Sequence, residues 1–426
     1  MRQEAYFCTI EELNSLGKEN IPQQLISHTH LIYSSPATLA FNSPGAEGFG
    51  VKRAGLAVPG SIMLIVAPGC CGRNTSVLSS MRAYHDRFYY LLMDETDIVT
   101  GRHLKKIPKA VAEICEGLEK KPSVVMICIT CVDALLGTDM ERVCRKAEEA
   151  AGLPVKPCYM YALTREGRKP PMVHVRQSIY SLLEPKKKKG NVVNLLGYFS
   201  PLVDDCELYD LLHDAGVKTI HEISRCKDYA EYQTMSEANF NLVLHPEARF
   251  VAEDFHDRLK IPYIELRRLY QIDKIASQYR AFGAALGVTF DDEKPRRAAE
   301  NAVAKFKEKH SEASFAVGEW MNGDSFELAL ALVRYGFRVP EIYGTLSGEN
   351  FIYVKQLAAL SPETKVFSNL EPTMLYYDGT DSGVTLTIGK DAGYYHKNCP
   401  NVLWNGERQP YGYAGVRRLF EALAEV

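Results

Sequence analysis

The sequence predicts an α/β protein built from open parallel sheets with helices on both faces. Two observations carry that expectation. Short apolar, often β-branched runs of four to eight residues recur along the 426-residue chain, each bounded by Gly, Pro, Asn or Asp, as strands buried on both faces tend to be. Between them lie longer stretches with apolar residues at three- and four-residue spacing, and alternation of this kind implies βαβ units.

Taken in order, strands are expected over Ser61–Ala67, Tyr89–Met93, Ser123–Ile129, Asn191–Leu196, Phe240–His245, Ser314–Gly318 and Val384–Ile388. Helical spacing marks His103–Leu118, Met140–Ala151 and Phe326–Tyr335. Two stretches read as seams. Glu184-Pro-Lys-Lys-Lys-Lys-Gly190 is a charged tract before a new strand, either a solvated linker or a patch for an acidic partner. Asp273–Lys309 is long, polar and helix-prone. The chain therefore divides into three expected α/β domains, 1–185, 190–290 and 300–426. The second and third begin alike: a strand, a loop, an acidic helix start, then Gly216 or Gly336 before the next strand.

At about 150 residues per domain, 426 residues allow two or three domains. Lys+Arg 50 against Asp+Glu 53 leaves a net charge of -3, which argues against a nucleic-acid binder. No run approaches the roughly 18–20 apolar residues of a membrane span, and MRQEAYFCTIEEL lacks the apolar stretch of a signal peptide. A cytoplasmic protein, bound to neither membrane nor nucleic acid, is expected. Eleven cysteines are the suggestive number, because a large cytosolic chain does not need disulfides.

Three of those cysteines stand just beyond strand ends in the first domain. Ser61–Ala67 runs into Pro68-Gly69-Cys70-Cys71-Gly72, and Ser123–Ile129 into Thr130-Cys131-Val132-Asp133. In an open parallel sheet the loops beyond the strands' carboxyl ends share one crevice, where ligands bind, so Cys70 or Cys71 can converge with Cys131. Flanking glycines let the backbone approach a bulky group. Thiolates at fixed corners suit an iron–sulfur cluster; inert loop thiols are the alternative. Cys128-Ile-Thr-Cys131 is a lone CxxC with no second pair, a weak zinc signal, and Cys128 belongs inside a strand. Cys115, Cys144 and Cys158 fall at packing positions. Neither G-x-G-x-x-G after a strand nor a P-loop is present, so ATP hydrolysis by a P-loop mechanism is excluded.

With these residues in view, the chain resembles the nitrogenase component 1 superfamily, which includes molybdenum–iron protein subunits, their cofactor-assembly relatives and dark-operative protochlorophyllide reductase subunits. Gly69-Cys70-Cys71-Gly72 is similar to its glycine–cysteine cluster loop. Thr130-Cys131-Val132-Asp133-Ala134-Leu135-Leu136-Gly137-Thr138-Asp139-Met140-Glu141 resembles its most specific motif. Val193-Asn194-Leu195-Leu196-Gly197 and Pro410-Tyr411-Gly412-Tyr413-Ala414-Gly415 resemble the opening strand of its second domain and its closing segment. The resemblance implies three Rossmann-like domains around a central cleft, and an anaerobic redox component. Electrons would come from an ATP-hydrolysing iron protein that docks over a cluster shared with an identical or paralogous subunit. It carries Cys71 and Cys131 into ligand positions, with Cys70 as a neighbour able to substitute. Two cysteines from each half make a 4Fe–4S cluster; three make a larger, P-cluster-like assembly.

The sequence also departs from the family. The first ligand, usually some 25 residues upstream of the glycine–cysteine loop, is missing. His245, in Phe240-Asn241-Leu242-Val243-Leu244-His245-Pro246, stands where nitrogenases place the cysteine that holds the iron–molybdenum cofactor, and the cofactor-binding C-terminal histidine has no counterpart around Leu403-Trp404. Dinitrogen reduction is not expected, and a second metal centre is left unknown. His245, and after it His174 in Met172-Val173-His174-Val175, are the candidate catalytic groups: either can donate protons or ligate a metal, or serve as a structural histidine. The leading functional expectation is an iron–sulfur reductase component. An assembly scaffold for an iron–sulfur precursor and a non-redox binding module are the alternatives.

Overall fold

The computed structural model of the protein describes residues 4–26, 50–69, 76–160 and 169–426. The described residues cluster into two compact units, one within 42–200 and 217–266, the other within 1–41, 201–216 and 267–426. They form a mixed α/β structure with three sheets. β1 (Cys8–Thr9) belongs to the third. β2 (Ile62–Ala67), β3 (Phe88–Leu92), β4 (Val125–Ile129) and β5 (Val155–Tyr159) form the first, in the order β3-β2-β4-β5. β6 (Val192–Leu196), β7 (Thr219–His221), β8 (Phe240–Val243) and β9 (Tyr263–Glu265) form the second, in the order β7-β6-β8-β9. The third adds β10 (Ser314–Val317), β11 (Arg338–Tyr343), β12 (Lys365–Phe367), β13 (Leu386–Ile388) and β14 (Asn401–Val402), in the order β1-β12-β11-β10-β13-β14. Neighbours are parallel throughout, except that β1 runs antiparallel to β12.

The first two sheets lie in one unit. β2 and β4 read as unbroken apolar runs because both of their faces are covered. Met63, Ile65, Ala67, Met126 and Cys128 enter one core, shared with Val192, Leu196, Val243 and Phe255 of the second sheet and its helix. Ile62, Leu64, Val66, Val125, Ile127 and Ile129 alternate into the other core, against helices His103–Gly117 and Met140–Ala151. The second of these helices starts where Asp139 accepts the Arg142 N–H at 3.0 Å and ends at left-handed Gly152. The lysine tract is docked inside this unit. Lys189 pairs with Glu237, and Lys188 Nζ donates to Ser236 O at 2.5 Å, at the carboxyl end of the turn Thr234–Glu237.

The other unit carries the third sheet. Asp273–Lys309 proves to be two helices, Ile272–Leu286 and Glu293–Lys309. The strand–helix–strand plan does recur after β6 and after β10, with helices Glu207–Asp214 and Ser325–Arg334. The first of those helices nevertheless clusters with the C-terminal residues. Buried Glu207 explains it: its carboxylate accepts from Tyr413 N at 2.6 Å, Ala414 N at 3.0 Å and Tyr279 OH at 2.8 Å, capping helix Gly412–Ala424. Among the described residues, no helix is long and apolar enough to cross a membrane.

Candidate functional site

β2 and β4 are hydrogen-bonded neighbours, with Val66 opposite Ile129, so their carboxyl ends leave the sheet side by side. β2 leads into Pro68-Gly69 and then to Cys70 and Cys71, which lie outside the described residues. β4 leads through Thr130 into the short helix Cys131–Leu136, which Cys131 opens and left-handed Gly137 closes. Nothing is described of the Cys131 side chain. Cys128 does not join this edge. It is fully buried and pairs in register with buried Cys158 on β5, whose thiol donates to the Val51 carbonyl at 3.5 Å. Cys115 and Cys144 are buried in the helices as well, at 4% and 2% exposure, which matches their reading as packing residues.

Beneath the helix that Cys131 opens sits a buried polar network that sequence reasoning did not single out. Asp133 is buried; its Oδ1 accepts from His103 Nε2 and from Thr138 OH, each at 2.9 Å. His103 Nδ1 faces the Asp97 carbonyl at 3.0 Å, so both of its ring nitrogens face acceptors. The Lys106 ammonium and Arg102 guanidinium, each 2.7 Å from Asp97, hold that carboxyl well below the usual range. Within this stretch two buried atoms, Thr130 Oγ1 and Asp133 Oδ2, have no hydrogen-bond partner among the described residues. They bracket Cys131. Buried polar atoms are ordinarily satisfied, so an edge carrying two open ones is suited to a further polar or metal-bearing group. The residue types present fit an iron–sulfur cluster: Cys131 opens a helix at the carboxyl end of β4, and the chain leaving the adjacent strand β2 runs on to Cys70 and Cys71. Among the described residues, no group of three or more His, Cys, Asp or Glu is placed to hold a metal ion.

The two histidines stand at other carboxyl ends of the same unit. His245 follows β8 and begins the turn Pro246–Ala248; its side chain is 40% exposed. Its Nδ1 accepts from Glu247 N at 3.3 Å, which leaves Nε2 as the protonated nitrogen of the neutral ring. The ring packs edge-on to Tyr198 at 5.7 Å, while the Tyr198 hydroxyl donates to Leu244 O at 3.0 Å. Gly197, with φ +144°, lets the strands approach this closely: a Cβ there would lie 2.8 Å from His245 N. His174, on helix Pro171–Tyr180, packs edge-on to Tyr159 at 4.8 Å, and burial together with Lys169 lowers its pKa. The histidines do not meet. The link between their elements is Arg176, two residues after His174, which donates to Glu247, two residues after His245, at 3.1 Å. Arg176 is buried and stacks on Phe199 at 4.3 Å. The signal for it in the sequence was only its spacing from a candidate histidine.

Comparison with known proteins supplies an independent reading. The family described as nitrogenase component 1 type oxidoreductase matches residues 47–426. Curated relatives named nitrogenase iron-molybdenum cofactor biosynthesis protein NifE are similar over about half of the chain. The protein from Nostoc sp. is 27% identical over 53% of this chain and 48% of its own length. That from Klebsiella pneumoniae is 26% identical over 54% and 50%, and that from Methanococcus maripaludis is 23% identical over 60% and 53%. The chain thus spans about half the length of the curated relatives it matches. Among solved structures, one titled nitrogenase Cp1 at pH 6.5 superimposes with a TM-score of 0.69. It covers 96% of this chain and 95% of its own at 16% identity, a likeness of fold.

Proposed function

Because the chain belongs to the nitrogenase component 1 type oxidoreductase family, we propose that it holds an iron–sulfur cluster in the loops that leave β2 and β4. We further propose that it acts in cofactor assembly, receiving an iron–sulfur precursor and passing it to an acceptor. The observation that carries this reading is the adjacency of β2 and β4, which starts the Cys70–Cys71 loop and Cys131 from neighbouring positions of one sheet edge. Cys71 and Cys131 are the proposed ligands, with Cys70 in reserve. An identical or paralogous subunit would supply the other corners of a 4Fe–4S cluster or of a larger assembly. A bound cluster supplies one-electron transfer and open coordination at iron. The chain's own residues set its surroundings: the His103–Asp133 pair anchors the helix that Cys131 opens. The names of the relatives support the assembly role.

A second reading, a reductase component fed by an ATP-hydrolysing iron protein, is favoured by one feature. His245 stands half-exposed at a strand's carboxyl end, where its imidazole, once protonated, can pass a proton to a substrate.

Anaerobic purification tests the cluster. A 4Fe–4S centre shared by two chains gives about two iron and two sulfide per chain, with absorbance near ~400 nm that dithionite bleaches. Cys131→Ala should lose the iron and Cys115→Ala should keep it; iron retained in the first variant removes Cys131 from the ligand set. Transfer of iron to an apo-acceptor supports the assembly role, whereas turnover driven by an iron protein and ATP supports the reductase.

A further inference from the structure

A half-open cavity of about 240 Å³ lies in the unit that carries the third sheet, against β12 and residues 4–7. Neither proposed role uses it. Aromatic rings form its walls: Phe7, Phe367, Tyr376 and Tyr377 line it. Phe7 and Phe367 are 5.6 Å apart, and Tyr377 stands perpendicular to Phe367 at 5.3 Å. At its floor is Glu341, 3% exposed. One oxygen of Glu341 accepts from Tyr377 OH at 2.6 Å, Tyr343 OH at 2.9 Å and His396 Nε2 at 2.9 Å. Among the described residues, Glu4, Asp378 and Asp381 add carboxylates at the rim, against one lining cation, Lys365.

These features select a ligand by chemistry. Aromatic faces present negative charge and attract cations, by about 0.5–2 kcal/mol according to desolvation. Tyr377 is both wall and floor. Its phenol donates to a buried carboxylate, which pushes electron density toward the ring and strengthens that attraction. The Phe7 ring already carries the Lys365 ammonium, 4.8 Å from its centroid, so a bound cation is left the tyrosine side of the cavity, away from that like charge. An anion would meet an excess of carboxylates, and a neutral apolar ligand would desolvate them without a partner. A compact metal ion would need clustered ligands, and none are placed so among the described residues.

We propose that this cavity binds an alkylammonium ion, its charge against the Tyr376 and Tyr377 rings and its N–H groups toward the rim carboxylates. A free diamine and the lysine side chain of a docking protein present the same group. The test is calorimetric titration of the full chain with putrescine, with Nα-acetyl-lysine methylamide, and with 1,4-butanediol as the neutral isostere. At least one cation should bind with a Kd below about 1 mM while the diol does not saturate. Putrescine binding more tightly identifies a free amine; the lysine derivative binding more tightly identifies a protein side chain. Asp378→Asn/Asp381→Asn on the rim and Tyr376→Ala on the wall should each weaken binding about tenfold or more. The proposal is overturned if neither cation binds, if the diol binds as well, or if both variants bind as the unaltered chain does.

Discussion

His103 Nε2 lies 2.9 Å from Asp133 Oδ1, and both side chains are buried, so the helix His103–Gly117 is pinned to the helix that opens at Cys131. Removing one member of such a pair leaves the other buried without its partner, at a cost of about 3–5 kcal/mol. Asp133→Ala is therefore expected to lower the urea midpoint substantially. It should also reduce iron uptake on reconstitution in the fraction that remains folded. A variant with unchanged stability would show that the pair is not a tie.

Gly197→Ala tests the approach of β6 to the turn after β8. The new methyl would press on His245 N and Cβ from a backbone conformation that side chains rarely adopt. A loss of about 1–3 kcal/mol is expected. Hydrogen exchange should quicken at Leu244 to Glu247 before it does in β2 or β4; uniform exchange across the unit would contradict the local assignment.

Stability should depend on pH through Glu327. Burial raises its carboxyl from 4.5 to about 7, although Gln271 Nε2 and the Tyr270 and Gln271 N–H groups donate to it. The folded state then holds a proton that the unfolded state releases, so this contribution is complete below about pH 4.5 and lost as pH rises to about 7. The upper bound is about 3 kcal/mol. Glu207, Glu319, Asp324 and Asp391 are raised by burial too and slope the same way. The difference between the unaltered chain and Glu327→Gln isolates the share of Glu327. Parallel melting curves from pH 4.5 to 7.5 would refute it.

Leu135 and Leu136, on the helix that Cys131 opens, are 69% and 50% exposed. If a second subunit completes the proposed cluster, these side chains are placed to be covered by it. Leu135→Asp/Leu136→Asp should shift sedimentation from dimer toward monomer and lower iron per chain together. A dimer that survives the change places the interface elsewhere.

Most strands visible in the sequence were those buried on both faces, because burial writes continuous apolar runs: β2, β4, β6, β8 and β10 are buried along their whole length, whereas β3, legible as Tyr89–Met93, alternates between buried and exposed positions. β11 escaped notice because Pro340 and Glu341 interrupt it, β7 and β9 because they are short and half-exposed at sheet edges. The carboxyl-end location of Cys131 and His245 was legible from strand boundaries alone. Partners such as His103 for Asp133, or Arg176 for Glu247, were not. They lie 30 and 71 residues away, and periodicity carries no information about which helices a fold will bring together.

The third sheet is stitched from both sides of the chain. β1 pairs antiparallel with β12, and Tyr6 N donates to Thr373 Oγ1 across 367 residues of sequence. At roughly 5–20 residues per second of synthesis, the early strand waits on the order of 20–70 s for its partner. During that interval the edge of β12 does not exist and the Phe7 ring has no wall to join. Final closure of this sheet is thus a late step on the ribosome, and a nascent chain halted before Lys365 should leave its first residues open to a protease.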